Sequence, residues 1–567
     1  MEDLEIKKES KLHIFDCGCS FPILRENPLS LDFTPNIEEI PLDCKKTWAL
    51  LSQGKTTACF QLESQLGKST CKRLEPENME HLAALVAIIR PSCLEAEIDG
   101  KNITSHYIDR KNGKEEVKHY HPALEKSLGE TYSLIIYQES SLRIVQDIAG
   151  FDLQQADKLR RSIGHKDVDL MAKVEKEFLE GCKKEKIVNE EEAKEIFSWI
   201  KASENYAFNK SHSVSYAYNT YLTAFCKSHF PLQFYTACLE FAKDSSTGNR
   251  KVSDIIKELV ADARLMNIEI RLPDLRRGNA DFAIYDNKIY FGLLNIKGVG
   301  QAALTKLKNK IKEVEGKLGK TLDKMSWLEI LIFIIPYSNV ATVRGFISCG
   351  ALDHLDLARG FMIFEMNAYK TLSKKEKEWI ENNLLTLGQN SFSLAKKLYD
   401  VLSCSSRRKT GRGQACSSVR RQKIVRDLVQ TLKKNPYYIK SDSYSWLAGT
   451  EEALLGCSIS SDYFDASDLD QANCTCKQFV EGKGDEYIMI PAKIDEARMT
   501  VTKRGRNPGQ KMSLLTLSDK TGIISSAVAF PDAWLKYINL LFIDNILMFC
   551  GKRKDKSFII QKVWQLS

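Results

Sequence analysis

From residue 46 to about 268 the apolar positions follow the three-to-four residue spacing of helices that bury one face. Asn189, with Glu192 three residues on, forms a capping-box pattern, and Ala193, Ile196, Phe197 and Ile200 then share a face. Helix stops stand at Arg90-Pro91 and Phe230-Pro231, because proline pushes the residue before it out of the helical region. The first 45 residues lack that period and hold one short strand-like string, Lys11-Leu-His-Ile-Phe15. A shift comes at Arg271-Leu-Pro-Asp274. Beyond it, 282–285 and 288–292 read as short strands joined by a tight turn at Asp286-Asn287. A lysine-rich helix follows Leu294 to Ala303. Residues 372–450 are polar and carry no clear period. From Glu486 five β-prone runs, 487–490, 513–517, 523–528, 546–549 and 557–560, fit a small closed barrel. There is no internal repeat.

A length of 567 residues implies several domains. Hydrophobic content of 43% and charged content of 28% are ordinary for a globular chain. The net charge of +8 permits a polyanionic partner without demanding one. Cys17/Cys19 and Cys474/Cys476 are C-x-C pairs with no second pair or histidine at zinc spacing, so they read as reduced thiols in a reducing compartment. Residues 1–11 alternate in charge, unlike a secretory signal. The most apolar run, Ile330 to Ile335, ends at Pro336, far short of the roughly 20 residues needed to span a bilayer. The expectation is a soluble cytoplasmic protein with no membrane partner.

Candidate chemistry is concentrated in a few strings. Asn205-Tyr-Ala-Phe-Asn-Lys-Ser-His-Ser213 is a basic, hydroxyl-rich turn opening an aromatic helix, a setting that suits phosphate through unpaired N–H groups and the helix dipole. His212 alone reads as structural. Ile296-Lys-Gly-Val-Gly300 has the form of a helix-hairpin-helix turn, in which Lys297, Gly298 and Gly300 would meet a DNA backbone; any tight interhelical turn can look the same. Lys503, Arg504 and Arg506, at the tip of the first barrel hairpin, suit single-strand phosphates or are simply a charged tip. The basic stretch from Arg407 to Arg426 reads as a nucleic-acid patch or, more plainly, a solvated segment. No Ser-His-Asp order, Walker loop or HExxH is present.

In their order these strings resemble bacterial C-family replicative DNA polymerases, the DNA polymerase III alpha subunits, from the end of the palm to the C-terminal OB-fold. Ile40 to Lys46 and Thr56 to Ser64 look like the entry to the fingers, and Leu85 to Pro91 like its arginine-proline turn. Ile136-Tyr-Gln-Glu139 and Ala156 to Lys166 look like central fingers motifs, with Phe208 to Ser213, the glycine hairpin and the Thr502 to Gly505 tip completing the series. The resemblance implies a multidomain chain: a small α/β palm remnant (1–45), mainly α fingers (46–270), a mainly α helix-hairpin-helix domain (271–371), a basic linker with a helical extension (372–485) and an all-β OB-fold barrel (486–567).

What the family implies is template-directed addition of deoxynucleotides to a primer 3′ end. By matched motif, Arg90, Arg160, Arg161, Lys166, Asn209, Lys210, Ser211 and His212 would bind the incoming deoxynucleoside triphosphate, cations suiting its phosphates. Two magnesium ions on several carboxylates serve such transfers. The family's D-x-D string has no counterpart here, and Asp16, on the string that resembles the third aspartate's strand, is the candidate catalytic and metal ligand. Ser92-Cys93 also departs from the family's glycine and proline. The expectation is therefore a split polymerase. This chain would grip primer–template DNA and nucleotide, share Mg2+ with a partner chain that carries the palm, and be inactive alone. The alternative is a non-catalytic DNA-binding derivative or relic. A sliding clamp stays an open partner, since Gln389 to Phe392 matches the docking peptide poorly. A phage origin would put the chain in the host cytoplasm.

Overall fold

Proline ends one helix and opens the next at both expected joints. In the computed structural model, Met79–Ile88 ends at Ile89, Arg90 is extended (φ −83°, ψ 149°), and Pro91 begins the helix Pro91–Glu95. Phe230 likewise follows Lys210–His229, and Pro231 opens Pro231–Glu240. Pro at the first helical position loses nothing, since its missing N–H would be unpaired there anyway. The structure describes residues 11–23, 40–165, 168–203, 205–244, 251–384, 398, 418–434, 442–460, 470–484, 486–502, 508–519, 521–543, 545–555 and 557–566. They form two units, Met1–Phe234 and Tyr235–Ser567.

In the first unit, Lys11–Ile14 pairs antiparallel with Ser20–Ile23, and the connecting turn carries Asp16, Cys17 and Cys19. Phe15 seats this hairpin, its ring centroid 4.3 Å from His229 and 5.5 Å from Phe230. Met79–Ile88 is apolar all round, with every residue from His81 to Ile88 buried, and it packs on Lys210–His229. A second cluster forms where Gln138–Ala149, Leu153–His165, Val168–Glu185 and Glu190–Ser203 bury Ile144, Ile148, Leu159, Phe178 and Phe197. Each such side chain contributes about 1.5–3 kcal/mol of burial. The capping box at Asn189 is present in both directions: the Asn189 N–H donates to Glu192 Oε2 (2.8 Å), and the Glu192 N–H to Asn189 Oδ1 (2.9 Å).

In the second unit, Ala283–Tyr285 and Lys288–Tyr290 form the expected hairpin, with Asp286 and Asn287 both at positive φ as the tight turn requires. Ile270–Arg271 joins it in parallel. The apolar run at 330–335 is buried, and no helix among the described residues is long and apolar enough to cross a membrane. Arg421 is not a solvated charge: it lies in the helix Val419–Lys434 and donates to the buried Glu376 carboxylate at 2.6 Å. Residues 403–417 lie outside the described residues.

The C-terminal barrel closes through strands Ile488–Val501, Lys511–Asp519, Gly522–Ala529, Ile546–Lys554 and Ser557–Gln565. The third and fifth strands pair in parallel and every other pair is antiparallel, as in an OB-fold. The strands run longer than their apolar runs because the second half of the first strand alternates half-buried with exposed residues. The register of the first two strands shifts between Ile494 and Glu496, a bulge of the kind that bends a strand around a barrel.

All four cysteines of the C-x-C pairs are free thiols, Cys17 and Cys19 half-buried. Cys474 and Cys476 are buried in the barrel core. Cys17 and Cys19 cluster with Cys44, and His229 lies against Cys17 and Cys44; Cys44 and His229 are both too distant in sequence from the pair to register as zinc spacing.

Candidate nucleotide and nucleic-acid interface

The turn before Lys210–His229 is held by a short parallel bridge between Tyr137 and Phe208. The Phe208 N–H donates to Ile136 O (2.9 Å), and the Gln138 N–H to Phe208 O (3.0 Å). Asn209 then caps the helix, its Oδ1 accepting from the His212 N–H at 2.8 Å. This bridge brings the strings at 136–139 and 205–213 together. A third arrives through Arg90, whose guanidinium carbon lies 4.0 Å from the Phe208 ring centroid, a cation–π distance. Cys93 supports the same corner by donating to Tyr206 O at 3.5 Å. The departure at Ser92-Cys93 thus leaves the arginine-proline turn packed on the Asn205 to Ser213 segment.

The electrostatics differ from a bare phosphate cradle. Glu139 occupies the helix start: its Oε2 accepts from the Lys210 N–H (2.8 Å) and its Oε1 from Asn209 Nδ2 (2.9 Å). Ser211 Oγ donates to Asn209 Oδ1 (2.7 Å), and His212 packs against Tyr216 with ring centroids 3.9 Å apart. The Lys210 ammonium reaches Glu130 at 2.6 Å and stands 5.6 Å from the Tyr137 ring centroid. That hydrogen bond holds the Glu130 carboxyl below its usual range. Arg90 is the exception among these cations, because its buried Nε has no hydrogen-bond partner. Sequence reasoning missed Glu130 and Glu139 as partners, since they lie 80 and 71 residues from Lys210.

Arg160 and Arg161 stand on the exposed face of Leu153–His165, both paired with Asp157 at 2.8 and 2.6 Å. Bonds from Arg161 and then Arg160 hold the Asp157 carboxyl below its usual range. Among the described residues no contact brings these two arginines to the Phe208 corner. Lys166 lies outside the described residues, as do Lys503, Arg504 and Arg506 of the barrel tip.

Within the second unit, Ile296 and Val299 are buried while Lys297, Gly298 and Gly300 are exposed. The Lys297 N–H donates to Leu454 O at 2.9 Å, pinning the turn. Gly298 has φ +88°, which an L side chain rarely adopts. Gly300, the cap of Gln301–Leu318, has φ −103°, and a Cβ there would meet nothing within 4 Å. The second glycine therefore serves neither backbone strain nor internal packing, and it leaves the helix start open to an approaching anion.

Asp16 is exposed in the hairpin turn. Among the described residues no carboxylate group gathers around it; the cluster with metal-ligand geometry is Cys17, Cys19 and Cys44. One exposed carboxylate does not fit the several-carboxylate set that two magnesium ions require.

Comparison with known proteins gives a consistent picture. Residues 29–186 match the family described as the bacterial DNA polymerase III alpha subunit finger domain, and residues 267–360 a helix-hairpin-helix motif. The chain is 30% identical to DNA polymerase III subunit alpha of Aquifex aeolicus over 539 residues, covering 93% of this chain and 40% of that protein. Against the Escherichia coli K12 subunit it is 29% identical over 542 residues, 91% of this chain and 40% of the other. Against that of Thermus aquaticus it is 38% identical over 271 residues, 47% of this chain and 21% of the other. The chain thus spans about two fifths of the relatives it matches along most of its length.

Proposed function

From the premise that this chain belongs to the bacterial C-family polymerases, as a counterpart of the C-terminal portion of their DNA polymerase III alpha subunits, we propose that it supplies the nucleotide and primer–template grip of a replicative DNA polymerase. The observation that carries this reading is the convergence of Arg90, Tyr137, Phe208 and Lys210 at one corner, where the Tyr137–Phe208 bridge joins two family strings and Arg90 brings in a third. The Arg90 guanidinium and the movable Lys210 ammonium are the groups that meet the triphosphate; an exposed pair such as Lys210–Glu130 holds its lysine by no more than about 1 kcal/mol. Asn209, Ser211 and His212 hold the turn. Arg160, Arg161 and Lys166 meet phosphates farther along the fingers.

In the same reading the exposed turn of Lys297, Gly298 and Gly300 binds duplex backbone, and Lys503, Arg504 and Arg506 bind the single strand. The boundaries at 45, 270, 371 and 485 separate the parts. Magnesium would be held chiefly by carboxylates of a palm outside these residues, in the split form on a separate chain, with Asp16 contributing one.

The test is primer–template binding by the purified chain, followed by fluorescence anisotropy with and without the matching deoxynucleoside triphosphate. Tighter binding with nucleotide, lost in Arg90→Ala and Lys210→Ala, is the expected result. Nucleotide-dependent binding that survives both changes would sink the fingers assignment. Strong, salt-dependent DNA binding with no nucleotide effect would favour a non-catalytic DNA-binding protein.

A further inference from the structure

Four soft or borderline ligands meet where the N-terminal hairpin lies against the helices of the first unit. Cys17 and Cys19 leave one tight loop, in which the Phe15 N–H donates to Cys19 O (2.9 Å) and the Gly18 N–H to Phe15 O (2.8 Å). Cys44 is the residue before Lys45–Ser52, and its side chain makes no capping bond to that helix. His229 is the last residue of Lys210–His229. The Cys17 and Cys44 sulfurs are 3.9 Å apart, and His229 Nε2 lies 3.2 Å from Cys44 Sγ and 4.0 Å from Cys17 Sγ. The three sulfurs all lie within 4.8 Å of one another.

The Cys17–Cys44 edge and the two edges from His229 Nε2 are close to those of a tetrahedral zinc site, with Cys19 the third sulfur of the cluster. Zinc–sulfur bonds of about 2.3 Å at tetrahedral angles put sulfurs roughly 3.8 Å apart, and a zinc–nitrogen bond of about 2.0 Å puts the imidazole nitrogen roughly 3.5 Å from each sulfur. A disulfide does not account for the contacts, because bonded sulfurs sit about 2.05 Å apart. Thiols are weak hydrogen-bond donors, so a purely hydrogen-bonded gathering of three of them gains little. The imidazole is also walled by Phe15 and Phe225, with ring centroids at 4.3 and 4.4 Å, an apolar shell of the kind that shields a closed metal centre from water.

We propose that Cys17, Cys19, Cys44 and His229 bind one zinc ion in a closed, structural Cys3His site. Four protein ligands leave no position for a reacting water, so the ion has no role in catalysis. It ties three segments far apart in sequence: the hairpin turn that carries Asp16, the start of Lys45–Ser52, and the end of the helix whose other end begins at Lys210. Ligands so widely separated cannot form a site in the unfolded chain, so binding adds to folding stability. The inference stands independently of the nucleotide-binding reading.

The experiment measures metal content of the full chain, expressed with zinc supplied and purified without chelator, by inductively coupled plasma mass spectrometry. One zinc per chain is expected in the wild type and in Cys474→Ser, whose thiol lies in the barrel core. Cys44→Ser and His229→Ala should lose it, and cobalt(II) in the wild type should give thiolate charge-transfer and intense tetrahedral bands that Cys17→Ser/Cys19→Ser lacks. A wild-type chain with no zinc overturns the proposal whether or not the variants fold. So does zinc kept at full occupancy in both single variants, or a disulfide among these cysteines found by mass spectrometry.

Discussion

The Glu139 carboxylate closes the first turn of the helix that begins at Lys210, accepting from the Lys210 N–H at 2.8 Å, 71 residues away in sequence. The positive end of that helix is therefore already neutralised from within the protein. A triphosphate meets side chains at this corner, Arg90 and Lys210, more than backbone. Replacing Glu139 with alanine leaves the Lys210 N–H and the Asn209 amide without their acceptor. The expected loss is about 1.5–3 kcal/mol, the range for hydrogen bonds to a charged group. Glu139→Gln, which keeps one acceptor, should lose less. Urea unfolding of both variants checks this, and a loss below about 0.5 kcal/mol in the alanine variant would remove Glu139 from the account.

Lys210 should separate function from fold. Its ion pair with Glu130 is solvent-exposed, so Lys210→Ala should change unfolding free energy by no more than about 1 kcal/mol. A lysine on a phosphate is a charge-assisted contact, and its loss should weaken nucleotide-dependent DNA binding about tenfold, equivalent to roughly 1.4 kcal/mol. A variant that loses both together would show that the residue holds the fold.

The two glycines of the 296–300 turn make opposite predictions. Gly298→Ala forces a side chain into φ +88° and should destabilise the second unit by about 1 kcal/mol or more. Gly300→Ala meets open space, so stability should stay within about 0.5 kcal/mol while DNA affinity falls several-fold at low salt. Equal DNA affinity for Gly300→Ala and wild type, titrated side by side, would assign the turn to packing alone.

How much was legible in the chain depended on sequence distance. Local signals carried through: the proline joints at Pro91 and Pro231, the Asn189–Glu192 box, and the Asp286-Asn287 turn are each set by residues within four positions. The five barrel strands were visible as apolar runs, but their lengths were not, because exposed residues such as Met499 and Val501 extend the first strand beyond its core-facing part. What stayed hidden was every contact made by tertiary folding. Glu130 and Glu139 against Lys210, Glu376 against Arg421, and Cys44 and His229 against Cys17 carry no local pattern.

Arg359 tests the buried ionic core of the second unit. Its guanidinium forks onto Asp353 (2.9 and 2.6 Å) and also reaches Glu451 at 2.8 Å, a carboxylate with no exposed surface. Burial alone would lower the Arg359 pKa, but these two carboxylates hold it above the usual arginine value. Arg359→Ala leaves the buried Glu451 with its hydrogen bonds from Ile459 and Ser460 but without the cation that pairs it, and should cost about 3–5 kcal/mol. Arg359→Lys should rescue little, because an ammonium cannot reproduce the planar fork. Denaturant midpoints that match wild type in the lysine variant would argue for charge over geometry.

Glu115 predicts a pH dependence with a definite sign. Its carboxylate accepts from Lys101 Nζ (2.7 Å), His106 Nδ1 (2.7 Å) and Arg110 Nε (2.6 Å). Burial pushes its pKa up, but the bonds from Lys101, Arg110 and His106 outweigh that and hold it at about 2. An unfolded glutamate titrates near about 4.3. The folded state thus favours the charged form, and the stabilisation is complete above about pH 4.3 and lost as pH falls towards 2. Glu115→Gln should be less stable than wild type at pH 7, and the gap should narrow steadily below about pH 4.3. Urea unfolding of both proteins from pH 7 down to pH 3 measures it. A gap that stays constant across that range would mean the carboxylate's shape, and not its charge, holds Lys101, His106 and Arg110 together.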